Sequence, residues 1–273
     1  MCRSIPFDAR YFLVPSILMS KKIVTRNVSV IYRGKHDREP VLACNGIDLV
    51  VEEGAFVSIV GPSGCGKTTI LYAIDGLLSI NGGEILVNDK RITGPGIDRA
   101  LVFQSASLLP WRTVWGNITY GLKLHNGLDQ ERLAKIQSLI DLVGLRGFEK
   151  RYPSELSGGM QQRTNLARAL AVDPDILLLD EPFASVDAQT REKLQIELTQ
   201  IWQRTQKTML FVTHDIAEAV FLSDKVVVFS ARPAEVRETI NIDIPRPRSL
   251  ETKLSPVLQG YVKRVWNLID APS

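Results

Sequence analysis

The sequence predicts an α/β fold with a largely parallel central sheet, and three observations lead there. Short apolar runs recur between longer amphipathic stretches, the alternation that βα units produce. The runs are apolar on both faces, as strands of a covered parallel sheet are. One of them ends directly in a glycine-rich turn that opens a helix. In order, residues 55–60 (AFVSIV) read as a buried strand, 67–78 as a helix and 175–180 (DILLLD) as a second buried strand. Residues 188–206 then read as a long helix, 208–213 (TMLFVT) as a strand and 225–229 (KVVVF) as another.

Two regions depart from this pattern. Residues 23–53 and 83–92 hold alternating runs such as VSVIY at 28–32 and IDLVV at 47–51. Period-two alternation marks antiparallel strands with one wetted face. Residues 105–166 contain no convincing strand, only a helix from about Asp129 to Val143, stopped at Gly144, and a second opening at Ser157. This segment reads as a helical insertion in the α/β core. Near the end, Ser255 is a cap followed by Pro256 in the first turn. Val257, Leu258, Tyr261, Val265, Trp266 and Ile269 would then form one apolar stripe packed on the chain's own domain. The divisions are 1–22, a loose extension in which Met19 is an alternative start; 23–250, the main domain; and 251–273, a helical extension.

Composition excludes several classes. The chain has 273 residues, 45% hydrophobic and 23% charged, and a net charge of +3 with no clustered basic run. A nucleic-acid backbone is therefore not an expected partner. The three cysteines, Cys2, Cys44 and Cys65, form neither a CxxC pair nor a disulfide framework, which fits a reducing compartment. No stretch reaches the ~20 apolar residues of a spanning helix. Residues 11–19, the most apolar N-terminal segment, contain Pro15 and lack a cleavage site, so a signal peptide is not expected.

The chemistry is concentrated in two motifs. Gly61-Pro62-Ser63-Gly64-Cys65-Gly66-Lys67-Thr68, with Thr69 following, fits G-x-x-x-x-G-K-[ST] in full, between a strand and a helix. Glycines let the backbone curl around an anion and aim N–H groups at phosphate oxygens. The helix start adds its positive dipole end. Lys67 supplies a mobile charge for β/γ phosphates, and Thr68 a hydroxyl for Mg²⁺. Cys65, at that helix start, would have a depressed thiol pKa and react readily unless nucleotide shields it. Downstream, Asp180 and Glu181 end the strand at 176–180. Asp180 suits a hard cation, and Glu181, on the opposite side, suits polarising an attacking water.

Between these lies Leu156-Ser157-Gly158-Gly159-Met160-Gln161, a second glycine-lined helix start able to receive an anion. With it the chain resembles the ATP-binding cassette (ABC) ATPases, over residues 23 to about 250. The resemblance implies a P-loop NTPase (RecA-like) core with an antiparallel β subdomain and a helical signature subdomain at about 105–166. It also implies ATP and Mg²⁺ as cofactors. Two copies would sandwich two nucleotides, the signature residues Ser157, Gly158, Gly159 and Gln161 of one closing on the phosphate loop of the other. By the same resemblance Gln104 senses Mg²⁺ and the membrane partner. Asp187, in a D-loop with Val186 where leucine is usual, communicates across the dimer. His214 is the switch histidine at the γ-phosphate, and Tyr32 stacks on adenine, although as a residue it also reads as an ordinary strand aromatic.

Two functional classes follow from the family: a transport motor, or a soluble ATPase acting on DNA or ribosomes. The separation of Lys67 from Ser157, without sustained heptads, and the single cassette favour transport. The segments 94–98 (GPGID), 102–104 (VFQ), 108–112 (LLPWR), 114–117 (VWGN), Arg232-Pro233 and 245–248 (PRPR) resemble importers for nitrate, sulfonates and taurine. That resemblance implies two membrane-spanning permease subunits, an extracytoplasmic solute-binding protein and a place on the cytoplasmic face of the membrane. Leu108–Trp111 would lie at the groove for a permease coupling helix, or else be core. Ser105 stands where an acidic residue is usual after the glutamine.

Overall fold

The computed structural model describes residues 20–33, 39–125, 127 and 129–271. The expected N-terminal extension falls almost wholly at 1–19, outside the described residues. A six-stranded sheet has the order β10-β9-β3-β8-β7-β6: β3 (Phe56–Val60), β6 (Arg99–Val102), β7 (Ile176–Asp180), β8 (Thr208–Val212), β9 (Lys225–Phe229) and β10 (Val236–Asn241). All neighbouring pairs are parallel except β9–β10. A second, antiparallel sheet runs β2-β1-β4-β5 through β1 (Lys21–Tyr32), β2 (Val41–Glu52), β4 (Gly82–Val87) and β5 (Lys90–Arg91).

The doubly apolar strands divide their side chains between two cores. Val57 and Ile59, Ile176 and Leu178, Leu210 and Val212, and Val227 and Phe229 enter one core with the antiparallel sheet and α1 (Lys67–Asp75). Their alternates Phe56 and Val60, Leu177 and Leu179, Met209 and Phe211, and Val226 and Val228 enter the other. That second core is completed by α2 (Val114–Ile118), α3 (Tyr120–His125), α4 (Gln130–Leu142), α5 (Gly158–Ala171), α6 (Ala188–Thr205), α7 (Ile216–Leu222) and α9 (Pro256–Asp270), with α8 (Leu250–Leu254) just before α9. Each such side chain, fully removed from water, contributes ~1.5–3 kcal/mol, so the sheet is a rigid platform for the loops at its ends.

Several sequence expectations need correction. The helix expected over 67–78 stops at Asp75, because Gly76 is left-handed (φ 89) and its N–H closes onto Tyr72 and Ala73, a glycine C-cap. A Cβ there would lie 2.3 Å from the Gly94 carbonyl, so close backbone approach also selects glycine. The helices α2 and α3 were not expected; Thr113 caps α2 through Gly116 N–H. The C-terminal stripe is rotated from the expected one: Leu258 and Val265 are buried, with Tyr261, Val262, Leu268 and Ile269 packed beside them. Val257 and Trp266 are instead 60% and 56% exposed.

Candidate functional site

Three neighbouring strands, β3, β8 and β7, deliver the phosphate loop, Asp180, Glu181 and His214 from their C-terminal ends, where parallel sheets place ligand sites. Residues 61–66 follow β3 and lead into α1. Gly64 and Gly66 have φ of 69° and 135°, which only glycine adopts without strain. A Cβ on Gly66 would meet the Ala43 carbonyl at 2.8 Å. The first turn of α1 has no side-chain cap, so its N–H groups are left to an outside acceptor. Lys67 is buried and donates to the Gly61 and Pro62 carbonyls at 2.9 and 3.0 Å. Arg232, from the β9–β10 turn, donates to the Gly64 carbonyl, and Ala234 N–H bonds the Ala43 carbonyl at 2.9 Å. The turn at 231–234 thus braces the phosphate loop from the side.

Thr68 Oγ1 donates to Asp180 Oδ1 at 2.8 Å, and the Tyr72 hydroxyl, one helical turn on, reaches the same carboxylate. Burial pushes the Asp180 carboxyl up, against the Thr68 and Tyr72 hydrogen bonds, which hold it down. Burial likewise raises the Tyr72 phenol to about 12. A half-buried hydroxyl and a buried carboxylate beside an uncapped helix start form the hard-oxygen set that suits Mg²⁺ and the phosphates it accompanies. Among the described residues no cluster of three His, Cys, Asp or Glu side chains could hold a metal ion.

Glu181 is left-handed (φ 42), and its N–H bonds the Val212 carbonyl at 2.9 Å across the strand end. Its Oε2 meets His214 Nδ1 at 2.8 Å. His214 leaves the end of β8, between the other two strands. The Tyr32 hydroxyl lies 3.1 Å from Thr69 Oγ1, which holds the half-exposed ring beside α1. Gln104 is exposed after β6, and its carbonyl accepts from Gln162 Nε2 at 3.0 Å. Arg168 donates to the Ser107 and Ala106 carbonyls, so the loop after Gln104 is tied to α5.

The second glycine cradle is partly self-satisfied. Ser157 caps its own helix through Met160 N–H at 3.3 Å, while Gly158 faces open space. Gln161 Nε2 donates back to the Pro153 and Leu156 carbonyls and fixes the entry to α5. Asp187 caps α6 through Thr190 N–H at 3.0 Å, and this bond holds its carboxyl below the ordinary range. In the segment 108–117, the fully buried Asn117 bonds Leu109 on both sides and the Arg112 and Thr113 carbonyls. That staple leaves Trp111 70% exposed.

The expectation for Cys65 is overturned. The thiol is 1% exposed, and burial raises its pKa despite Lys67, which pulls the other way. Cys44 beside it is pushed up to about 12. Cys65 therefore offers the loop its backbone only. With Cys2 replaced by serine, native protein should titrate no thiol quickly with an aromatic disulfide reagent, and guanidinium should release two. Fast native reaction would show that the loop opens. Sequence reading also missed Tyr72, whose i,i+4 spacing from Thr68 was the available signal, and the bracing role of Arg232.

The family model described as ABC transporter matches residues 44–184. An uncharacterized ABC transporter ATP-binding protein of Methanocaldococcus jannaschii is 47% identical over 251 residues, 92% of each chain. The nitrate import ATP-binding protein NrtD of Synechocystis is 43% identical over 238 residues, 85% of this chain and 90% of the relative. Among solved structures, a dimeric post-hydrolysis ATP-binding cassette bound to ADP and phosphate superposes with a TM-score of 0.71 at 30% identity, over 82% of this chain and all of the other. The chain belongs to the ABC transporter family, as an ATP-hydrolysing subunit.

Proposed function

We propose that this chain energises an importer for a small solute, of the nitrate, sulfonate or taurine type, and that it works as a pair. The observation carrying the catalytic part is that Thr68–Asp180 and Glu181–His214 meet at the ends of three adjacent strands around one uncapped helix start. When bound, Mg-ATP supplies the phosphoanhydride to be cleaved and a Lewis acid on its phosphates. The loop 61–66 and the start of α1 hold the phosphates, and Lys67 turns its ammonium from the Gly61 and Pro62 carbonyls toward them. Thr68, Asp180 and Gln104 hold the Mg²⁺, and Tyr32 carries the adenine. Glu181 takes the proton of the attacking water, and His214 orients Glu181 and faces the γ-phosphate.

The partly open cradle at Ser157, Gly158 and Gly159, anchored by Gln161, serves the nucleotide on a second copy, with Asp187 beside that contact. The dimeric cassette to which this chain is similar supports the pairing. Trp111, exposed on a stapled loop, supports docking to permease subunits at the cytoplasmic face of the membrane. Among the described residues no helix is long and apolar enough to cross it. The nitrate import relative and the motifs at 94–117 and 232–248 support the solute class, delivered by an extracytoplasmic binding protein.

The test is direct. Purified chain should hydrolyse ATP and pair in Mg-ATP, and Lys67→Ala should abolish both. In proteoliposomes with its permease and binding protein, nitrate or taurine uptake should require ATP. A chain that neither hydrolyses nor pairs refutes the motor; ATP-driven uptake of an unrelated solute overturns only the solute class.

A further inference from the structure

A buried polar chain leads away from the switch histidine to the C-terminal extension. The Thr213 hydroxyl, 2% exposed, donates to Glu218 Oε2 at 2.5 Å and accepts from Asp215 N–H at 3.0 Å. The second bond ties together the residues on either side of His214 and the first anchors them to α7, so the pair sets the backbone from which the His214 ring reaches Glu181. Glu218 is itself 5% exposed. Its Oε1 accepts from Gln195 Nε2 of α6 at 2.7 Å. Gln195, also buried, accepts at Oε1 from Lys253 Nζ of α8 at 2.5 Å. The Lys253 ammonium in turn sits 4.7 Å from the centre of the Phe221 ring, on α7.

The chemistry gives this chain a direction. An ammonium only donates and a carboxylate only accepts. The Gln195 amide can therefore satisfy both neighbours in one orientation alone, its oxygen toward Lys253 and its nitrogen toward Glu218. Without the ammonium, that orientation loses its determinant. Glu218 is then left with Thr213 and the nearby charge of Arg191 for compensation, inside a medium where unpaired charge is costly. The burial that pushes the Glu218 carboxyl up shows how little solvent helps it.

We propose that Lys253 is a positioning residue for ATP hydrolysis, acting on His214 through Gln195, Glu218 and Thr213. The C-terminal extension thereby sets the switch rather than merely covering the core. This rests on the role proposed above for His214, and the experiment separates the two. The chain has three histidines, His36, His125 and His214, so selective histidine labelling gives three ring signals, with that of His214 identified by its loss in His214→Ala.

In full-length Lys253→Met, which keeps the aliphatic stem, kcat should fall about fivefold to tenfold with KM unchanged within about twofold, the scale on which contacting residues couple. Melting should stay within about 2 °C. The His214 signal should shift while those of His36 and His125 stay in place, and Lys253→Arg should restore both kcat and the shift. Gln195→Leu should move the same signal. An unmoved His214 signal or unchanged kcat in Lys253→Met overturns the proposal, as does movement of all three signals with a lowered melting point. Native hydrolysis by His214→Ala would instead refute the role of His214, while its ring signal in the labelled protein still reports the relay.

Discussion

Glutamine at position 181 is expected to lower the rate of ATP hydrolysis by ~10²–10⁴-fold, about 3–5 kcal/mol of barrier, the range lost with a general base. Glu181 Oε2 meets His214 Nδ1 at 2.8 Å, and the backbone is locked by the bond to the Val212 carbonyl. A glutamine of equal shape can still bond the imidazole, because an amide both donates and accepts. Geometry and nucleotide binding should therefore survive while basicity is lost. Glu181→Gln should bind Mg-ATP and accumulate as the closed pair, read as a doubled mass in light scattering. Native hydrolysis by a monomeric Glu181→Gln would refute the assignment.

Much of the site was legible because its residues are adjacent in sequence or carried by fixed local geometry. The left-handed glycines at 64 and 66 and the cap at Ser157 are local facts that spacing announces. The caps Asp129, Asp187 and Ser255 fall where helix-start rules put them. Thr68 and Asp180 are 112 positions apart, yet the two motifs that contain them each declare their chemistry.

Where legibility failed, the cause was burial or long-range pairing. Cys65 sits at a helix start, which alone would acidify a thiol, but the packing that excludes water outweighs that dipole. Leu77 and Leu78 extended the apolar pattern of α1, while the left-handed turn at Gly76 ended it. The chain from Thr213 to Lys253 was invisible because Gln195 reads as an ordinary polar residue of an amphipathic helix and Lys253, 58 positions on, as a polar residue ahead of the Ser255 cap. Nothing in either pattern says that the two will meet.

Alanine at position 248 should cause the largest loss of stability among single changes outside the nucleotide site. The segment 245–248 resembles one in importers and could be read as part of their chemistry, but its geometry is that of a structural clamp. Arg248 is 3% exposed, and its three nitrogens donate to the carbonyls of Val220, Phe221 and Ser223, where α7 ends, and of Ile242 and Ile244. A helix C-terminus leaves its last carbonyls unpaired and partially negative, so the guanidinium fork answers several at once. Desolvation still pulls the Arg248 pKa to about 10. Arg246 adds a bond to the Leu222 carbonyl and an ion pair with Asp224 at 2.8 Å. Removing the Arg248 side chain strands these acceptors in the core and opens a cavity. The expected cost is about 3–5 kcal/mol, which for a chain of this size lowers the melting temperature by roughly 10 °C. Arg248→Lys should recover only a fraction, because one ammonium cannot span acceptors that a planar fork reaches. Because α7 begins two residues after His214, hydrolysis should fall near the new transition, not far below it. A melting temperature within about 2 °C of the native value for Arg248→Ala would mean that water replaces the guanidinium and the clamp carries little stability.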